Sequence, residues 1–190
     1  RWFDHDGGLV EIGHDGAEFA FDNEGPRHSV HLAPFRLASR LVTNGEWKAF
    51  MADNGYGRPE LWLSDGWAAV GENGWTAPLY WQVVDDEWCA MSLSGLQQVN
   101  DQAPVCHVGL YEADAYARWA GKRLPREGEW EVFAREQPVA GNFVGSGLLR
   151  TAPAAGETPG PPDRTLGRRL LLTPSAPDHL TDHHVLALRT

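Results

Sequence analysis

Residues 104–135 read PVCHVGLYEADAYARWAGKRLPREGEWEVFAR, and the reading of this stretch decides how the rest of the chain is organised. Leu110, Tyr111, Ala113, Ala115, Tyr116, Ala117, Trp119 and Ala120 include apolar positions three and four apart, which predicts a helix over 110–120 with one dry face. Glu112 stands three residues after Gly109, where its carboxylate suits the electropositive first turn. Gly121 lies just past the last periodic residue and reads as the left-handed terminator. Lys122-Arg123-Leu124 then reads as a short strand. Pro125 pre-sets φ for a second helix over 127–136 that carries Glu127, Glu129, Trp130 and Glu131. Trp119 and Trp130 flank Gly121 on apolar faces and are expected to be buried. On periodicity alone, the stretch is an aromatic-anchored helix pair.

Working outward, Thr43-Asn44-Gly45-Glu46 is a capping box, in which the Thr hydroxyl accepts from the Glu46 N–H and the Glu carboxylate reaches back. It predicts a helix over 44–53 carrying Trp47, Phe50 and Met51 and ending before Asn54-Gly55. Residues 56–100 show little helical period. Trp62, Trp67, Trp75, Trp81 and Trp88 are interleaved there with Pro59, Gly66, Gly71, Gly74 and Pro78, so irregular loops and short strands pinned by indoles are expected, with a strand over 80–84. Such a surface can stack sugars or bases. The same residues also serve as the core of a fold poor in regular structure.

Near the start, Leu9-Val10-Glu11-Ile12 is an expected strand ended by Gly13, and residues 29–32 alternate polar with apolar as a half-buried strand does. Between them, FAFDNEGPRH places Asp22, Asn23, Glu24, Arg27 and His28 within seven positions. These five are the candidate site residues. Their oxygens can hold a hard cation or line a polar pocket; the alternative is a turn cross-linked by its own charges and hydrogen bonds. The Asp/Asn-rich glycine loop of a calcium motif is missing. The overall expectation is an α+β domain.

Composition bounds the function classes. At 190 residues the chain suits one domain with a real core. A net charge of −10 argues against a general nucleic-acid or anionic-membrane binder, which needs a basic face. No apolar run approaches the roughly 20 residues of a membrane span, and no signal peptide opens the chain. Cys89 and Cys106 do not make a disulfide framework, so reduced thiols and a cytoplasmic setting are expected. The chain opens on Arg1-Trp2-Phe3 without an initiator Met, the form of a fragment or a processed product. All nine Trp, seven Phe and four Tyr fall at or before Phe143, whereas residues 151–190 hold six of the thirteen prolines. A folded domain over 1–150 and a divergent, disordered tail over 151–190 are expected. His179 and His183 have the spacing of a metal pair on a helix, but the flanking prolines favour a flexible tail.

The 104–135 stretch resembles the signature of the sulfatase-modifying-factor superfamily, whose members read close to PV-x-x-V-(S/T)-x-x-(E/D)A-x-x-(F/Y)-x-x-W-x-G-x-RLP-T-E-x-EWE. Other segments are similar to one branch, the hercynine oxygenases of ergothioneine biosynthesis: Phe19 to Glu24, Pro26-Arg27-His28, Val42 to Trp47, Leu61 to Trp67 and Ala77 to Trp81. The resemblance covers about residues 1–150. It implies the compact, loop-rich fold of the formylglycine-generating-enzyme type, related to C-type lectins and here incomplete. It implies an oxidoreductase that uses iron(II) and O₂ to join hercynine to γ-glutamylcysteine through a C–S bond, forming a sulfoxide. In that family three histidines of a separate upstream helical-bundle domain hold the iron, so no ligand carries over onto His5, His14, His28, His31 or His107. No catalytic residue is assigned, and no iron is expected to bind this chain alone.

Several features depart from the family. The GDVWEWT segment and the arginine-rich segment ending in GLRLA, which supply substrate contacts, do not occur; a frameshift near Gly167 to Leu170 is one explanation. Gly109 and Arg126 stand where relatives have a capping Ser or Thr. The alternatives are a formylglycine-generating relative, for which Cys89 and Cys106 lack the redox-pair context, and a lectin-like, non-enzymatic binding module.

Overall fold

The computed structural model describes residues 2–16, 19–135 and 142–153. Its first helix, α1 (Asn44–Ala52), forms where the capping box predicted it: Thr43 Oγ1 accepts from the Glu46 N–H at 3.3 Å, and the Glu46 carboxylate accepts from the Thr43 N–H at 2.9 Å. The helix start is also sewn to a segment far away in sequence. Asn44 N–H and Gly45 N–H donate to Ala103 O and Asp101 O, Val105 N–H donates to Val42 O, and Lys48 pairs with Asp101 at 2.7 Å. This brings the Val105-to-Val108 strap, and α3 (Leu110–Trp119) behind it, onto the inner face of α1.

Trp47 and Phe50 are fully buried there, and the Trp47 ring stacks on Tyr116 at 4.9 Å. Together with Val42, Tyr56, Leu61 and Trp62 they form the main core. α3 ends as expected, with Gly121 at φ +66 just beyond the Ala120 cap. The following helix, α4 (Glu127–Arg135), packs on a second, smaller core of Leu32, Phe35 and Leu37. Position 136, the expected last residue of that helix, lies outside the described residues.

Among the described residues, seven strands make three small antiparallel sheets. β1 (Trp2–His5) pairs with β4 (Phe35–Ala38). β2 (Gly8–Ile12) pairs with β3 (His28–Leu32), with Val10 opposite Val30. The third sheet is a meander of β5 (Trp81–Val84), β6 (Glu87–Ser92) and β7 (Gly95–Gln98), so the strand expected over 80–84 is present. Residues 142–153 run beside this meander: Ser94 Oγ donates to Leu148 O, and Thr151 Oγ1 donates to Pro104 O at 3.0 Å. The architecture is therefore mixed α+β, with four α-helices among the described residues.

Three expectations need correction. Helix α2 (Ser64–Asn73) lies inside the stretch read as loops and strands. Its two internal glycines dilute the helical period, and one of them is demanded by packing: a Cβ on Gly66 would sit 2.6 Å from the Tyr111 side chain. Lys122-Arg123-Leu124 joins none of the three sheets. Trp119 and Trp130 are half-buried, not buried. The Trp119 indole N–H reaches out to Asp53 Oδ2 at 2.8 Å, which holds one edge of the ring at the surface while its body packs on Phe50. The expected tail lies outside the described residues from 154 onward, and so do His179, His183 and His184.

Candidate functional site

The five polar residues singled out from the sequence lie at the edge of the β2–β3 hairpin. Asp22, Asn23 and Glu24 form one turn of three-ten helix, because the Glu24 carboxylate accepts from the Phe21 N–H at 2.8 Å and the Glu24 carbonyl accepts from the His14 N–H at 2.7 Å. Asp22 and Asn23 stand exposed on that turn. Arg27 points away from them to Glu11 and Asp15, both at 3.9 Å, and the His28 ring bonds the Pro26 carbonyl at 2.9 Å. The fold thus brings the five onto one loop but spends Glu24, Arg27 and His28 on partners of the same hairpin. Exposed ion pairs at that separation contribute at most about 1 kcal/mol.

The histidines sit on separate elements. His5 Nδ1 accepts from the Gly7 N–H and its ring stacks on Phe35 at 4.8 Å; His14 Nδ1 accepts from the Gly16 N–H. His31 lies on β3 opposite Leu9, and the His107 ring meets the edge of Tyr80 at 5.1 Å. Among the described residues no group of three or more His, Cys, Asp or Glu side chains converges to hold a metal ion. These residues do not supply the ligand set of an iron centre, which needs its imidazoles gathered and oriented. Cys89 and Cys106 are both free thiols. Burial pushes the Cys106 thiol up to about 11, so it is not a thiolate at neutral pH.

A polar centre that the sequence reading missed lies inside the main core. Glu112, on the first turn of α3, accepts from the Gly109 N–H at 2.7 Å and from the Tyr56 hydroxyl at 2.5 Å. Burial raises its carboxyl from the ordinary 4.5 to about 7, against the opposing pull of those two donors. Burial also pushes the Tyr56 hydroxyl well above its usual range, followed by the adjacent Glu112 charge. The Trp47 indole N–H works against that rise, though it makes no hydrogen bond of good geometry. Glu112 was legible as a helix cap from its distance to Gly109. Its partner was not, because Tyr56 is 56 residues away in sequence.

Each of three helices therefore carries a glutamate at its third position that accepts from the backbone N–H before the helix: Glu46 from Thr43, Glu112 from Gly109 and Glu129 from Arg126. This half of the capping box survives without the Ser or Thr hydroxyl at Gly109 and Arg126, because it uses only backbone donors. The sulfatase-modifying factor enzyme 1-like domain matches residues 5–156 of the chain. The chain belongs to this family. It is 41% identical to a hercynine oxygenase of Mycolicibacterium smegmatis over 122 residues, 64% of this chain and 28% of that protein. It is 35% identical to a formylglycine-generating enzyme of Thermomonospora curvata over 152 residues, 68% of this chain and 46% of that protein. An inactive C-alpha-formylglycine-generating enzyme 2 of Bos taurus is 32% identical over 144 residues. The chain spans less than a third of the length of the hercynine oxygenase and less than half that of the other two.

Proposed function

We propose that this chain is a portion of the catalytic C-terminal domain of a hercynine oxygenase. The intact enzyme is a non-haem iron(II)- and O₂-dependent oxidoreductase that forms the C–S bond between hercynine and γ-glutamylcysteine in ergothioneine biosynthesis. What carries the reading is the 41% identity to a hercynine oxygenase, compared with 35% to a formylglycine-generating enzyme. The reading includes an incomplete C-type-lectin-like architecture of the formylglycine-generating type, a reducing cytoplasmic setting, and an upstream helical bundle as the source of the iron ligands. The free thiols Cys89 and Cys106 are compatible with that setting. In this assignment the described residues are scaffold: they hold the α1–α3 core and the strap between them, on which substrate-contacting segments of a longer protein are displayed. The protonated state of Cys106 weighs against a thiolate nucleophile at that position.

The chain alone is expected neither to hold iron(II) tightly nor to make the sulfoxide. Anaerobic iron titration, followed by incubation with hercynine, γ-glutamylcysteine and O₂, tests this directly. Stoichiometric iron binding with turnover would overturn it. Reading the flanking genomic sequence in every frame separates the alternatives: an upstream histidine-bearing bundle and a downstream GDVWEWT segment support the oxygenase, and their absence supports a lectin-like binding module.

A further inference from the structure

The β5–β7 meander turns one face inward and leaves the other bare. Side chains alternate along each strand, so the pairing register sorts them into two faces. Trp81, Trp88 and Ala90 share the inner face, all half-buried, and Trp81 packs on the main core. Gln97, which accepts from Arg150, is on that face too. The outer face carries Val84, Cys89, Met91 and Leu96, with Met91 directly opposite Leu96 and with Gln82, Cys89 and Gln98 in one row. Val84 is 37% exposed, Met91 46% and Leu96 40%; Leu93, in the β6–β7 turn, is 82% exposed. Neighbouring exposed apolar side chains of this kind mark an interaction surface.

The opposite end of the same sheet is acidic. Asp85 and Asp86 form the tip of the β5–β6 hairpin, both left-handed at φ 50 and 65, and Glu87 follows them. All three are exposed, and none of the ion pairs among the described residues engages them. Glu87 and Met91 are four residues apart on β6. An occupant of the face therefore needs cations at one end and apolar bulk at the other, across about 13 Å of strand. A second copy of the chain answers this poorly, because it brings its own acidic turn and a net charge of −10.

The chain itself carries a segment of the required chemistry. Residues 164–172 read RTLGRRLLL, with three arginines, four leucines and no acid. They follow residues anchored beside the meander, where Ser94 Oγ donates to Leu148 O, Arg150 to Gln97 and Thr151 Oγ1 to Pro104 O. The eleven residues from Pro153 to Arg164 reach up to about 36–40 Å when extended, well beyond the length of the sheet. Arg168 and Leu172 are four residues apart, the same spacing as Glu87 and Met91. We propose that segment 164–172 docks on the outer face of the β5–β7 meander, its arginines on the Asp85-Asp86-Glu87 turn and its leucines on Met91 and Leu96. The tether makes the contact intramolecular, at an effective concentration in the millimolar range. A segment whose free affinity is only about 0.1 mM then occupies the face by about ten to one.

Cys89, in the middle of the face, is a native probe, and Cys106 stays silent because burial keeps its thiol protonated at neutral pH. In the full chain, alkylation of Cys89 by iodoacetamide should quicken about tenfold when Leu170→Ser, Leu171→Ser and Leu172→Ser are combined. Arg168→Glu with Arg169→Glu should quicken it too, although added negative charge alone makes a thiolate scarcer. Neither set touches the packing described above. As a second measurement, Leu171→Cys under mild oxidation should form a disulfide with Cys89 within one chain. Leu186→Cys, in the other leucine-bearing part of the same tether, should not. An unchanged alkylation rate in either set overturns the proposal. So does equal trapping at positions 171 and 186, which reports a tether with no preferred seat. Protection of Cys89 that grows with protein concentration also overturns it, because the cover is then a second copy. Neither iron nor substrate enters these measurements, so their failure is distinct from failure of the oxygenase reading.

Discussion

The N-termini of α1 and α4 are the same device written twice. Arg40-Leu41-Val42-Thr43-Asn44-Gly45-Glu46-Trp47 and Arg123-Leu124-Pro125-Arg126-Glu127-Gly128-Glu129-Trp130 share Arg, Leu, Gly, Glu and Trp at matching positions. The structure shows why. In each copy the arginine forks onto the glutamate six residues later, at 2.8 and 2.7 Å for Glu46 and at 3.0 and 2.6 Å for Glu129. In each copy the same guanidinium also donates to the carbonyl of the next residue, Leu41 or Leu124. The copies differ in where they are placed. Trp47 is fully buried in the main core and Glu46 lies near the surface; Trp130 is half-buried and the Glu129 side chain is only 3% exposed. Thus one local motif spends its burial on an indole in the first copy and on an ion pair in the second. α3 has a third version with no arginine, and there a phenol takes the cation's place.

The largest effect should separate the two tryptophans. Trp47→Ala should cost about 4 kcal/mol in chemical denaturation, because a fully enclosed indole leaves a cavity, and Trp130→Ala about half of that. Equal losses would break the comparison. Next is the third version. Glu112 at about 7, against 4.5 when unfolded, should make global stability fall by about 3 kcal/mol as pH rises from below 4.5 to about 7, and Glu112→Gln should flatten that slope. A wild-type slope that persists in Glu112→Gln would assign it to another group.

The smallest effects should separate the two arginines. Arg123→Ala strands a buried carboxylate and should cost about 2–3 kcal/mol, a value held down because the arginine side of the pair is open to water. Arg40→Ala, at a more exposed pair, should cost under about 1 kcal/mol, a cost present at neutral pH that fades in acid. The sign follows from Glu46, whose carboxyl is held below its usual range first by the Arg40 bond. Its contribution is present above the unfolded value and is lost as pH falls. Measuring both variants across ionic strength sharpens the contrast, since the exposed pair should be the more salt-sensitive.

Much of the fold was legible in the chain because its signals are local. A capping box, a period of three and four, and a glycine past the last periodic residue placed α1, α3 and the start of α4 to within a residue or two. Nothing comparable announced α2, where Gly66 answers to Tyr111 on another helix. The candidate site followed the same division. Grouping Asp22, Asn23, Glu24, Arg27 and His28 was possible from spacing alone, and the turn keeps them on one loop. Spacing could not tell that Arg27 would turn to Glu11 and Asp15.

The sequence by itself determined the starts and stops of α1 and α3, the start of α4, the β2–β3 strands, the class of the domain and the family signature, because each depends on neighbours within one or two turns of chain. Only the tertiary structure decided which cap glutamate is solvated, which is paired and which is buried with a tyrosine. Solvation depends on everything packed around a group, and residues 56 positions apart meet at Glu112 only after the core has closed.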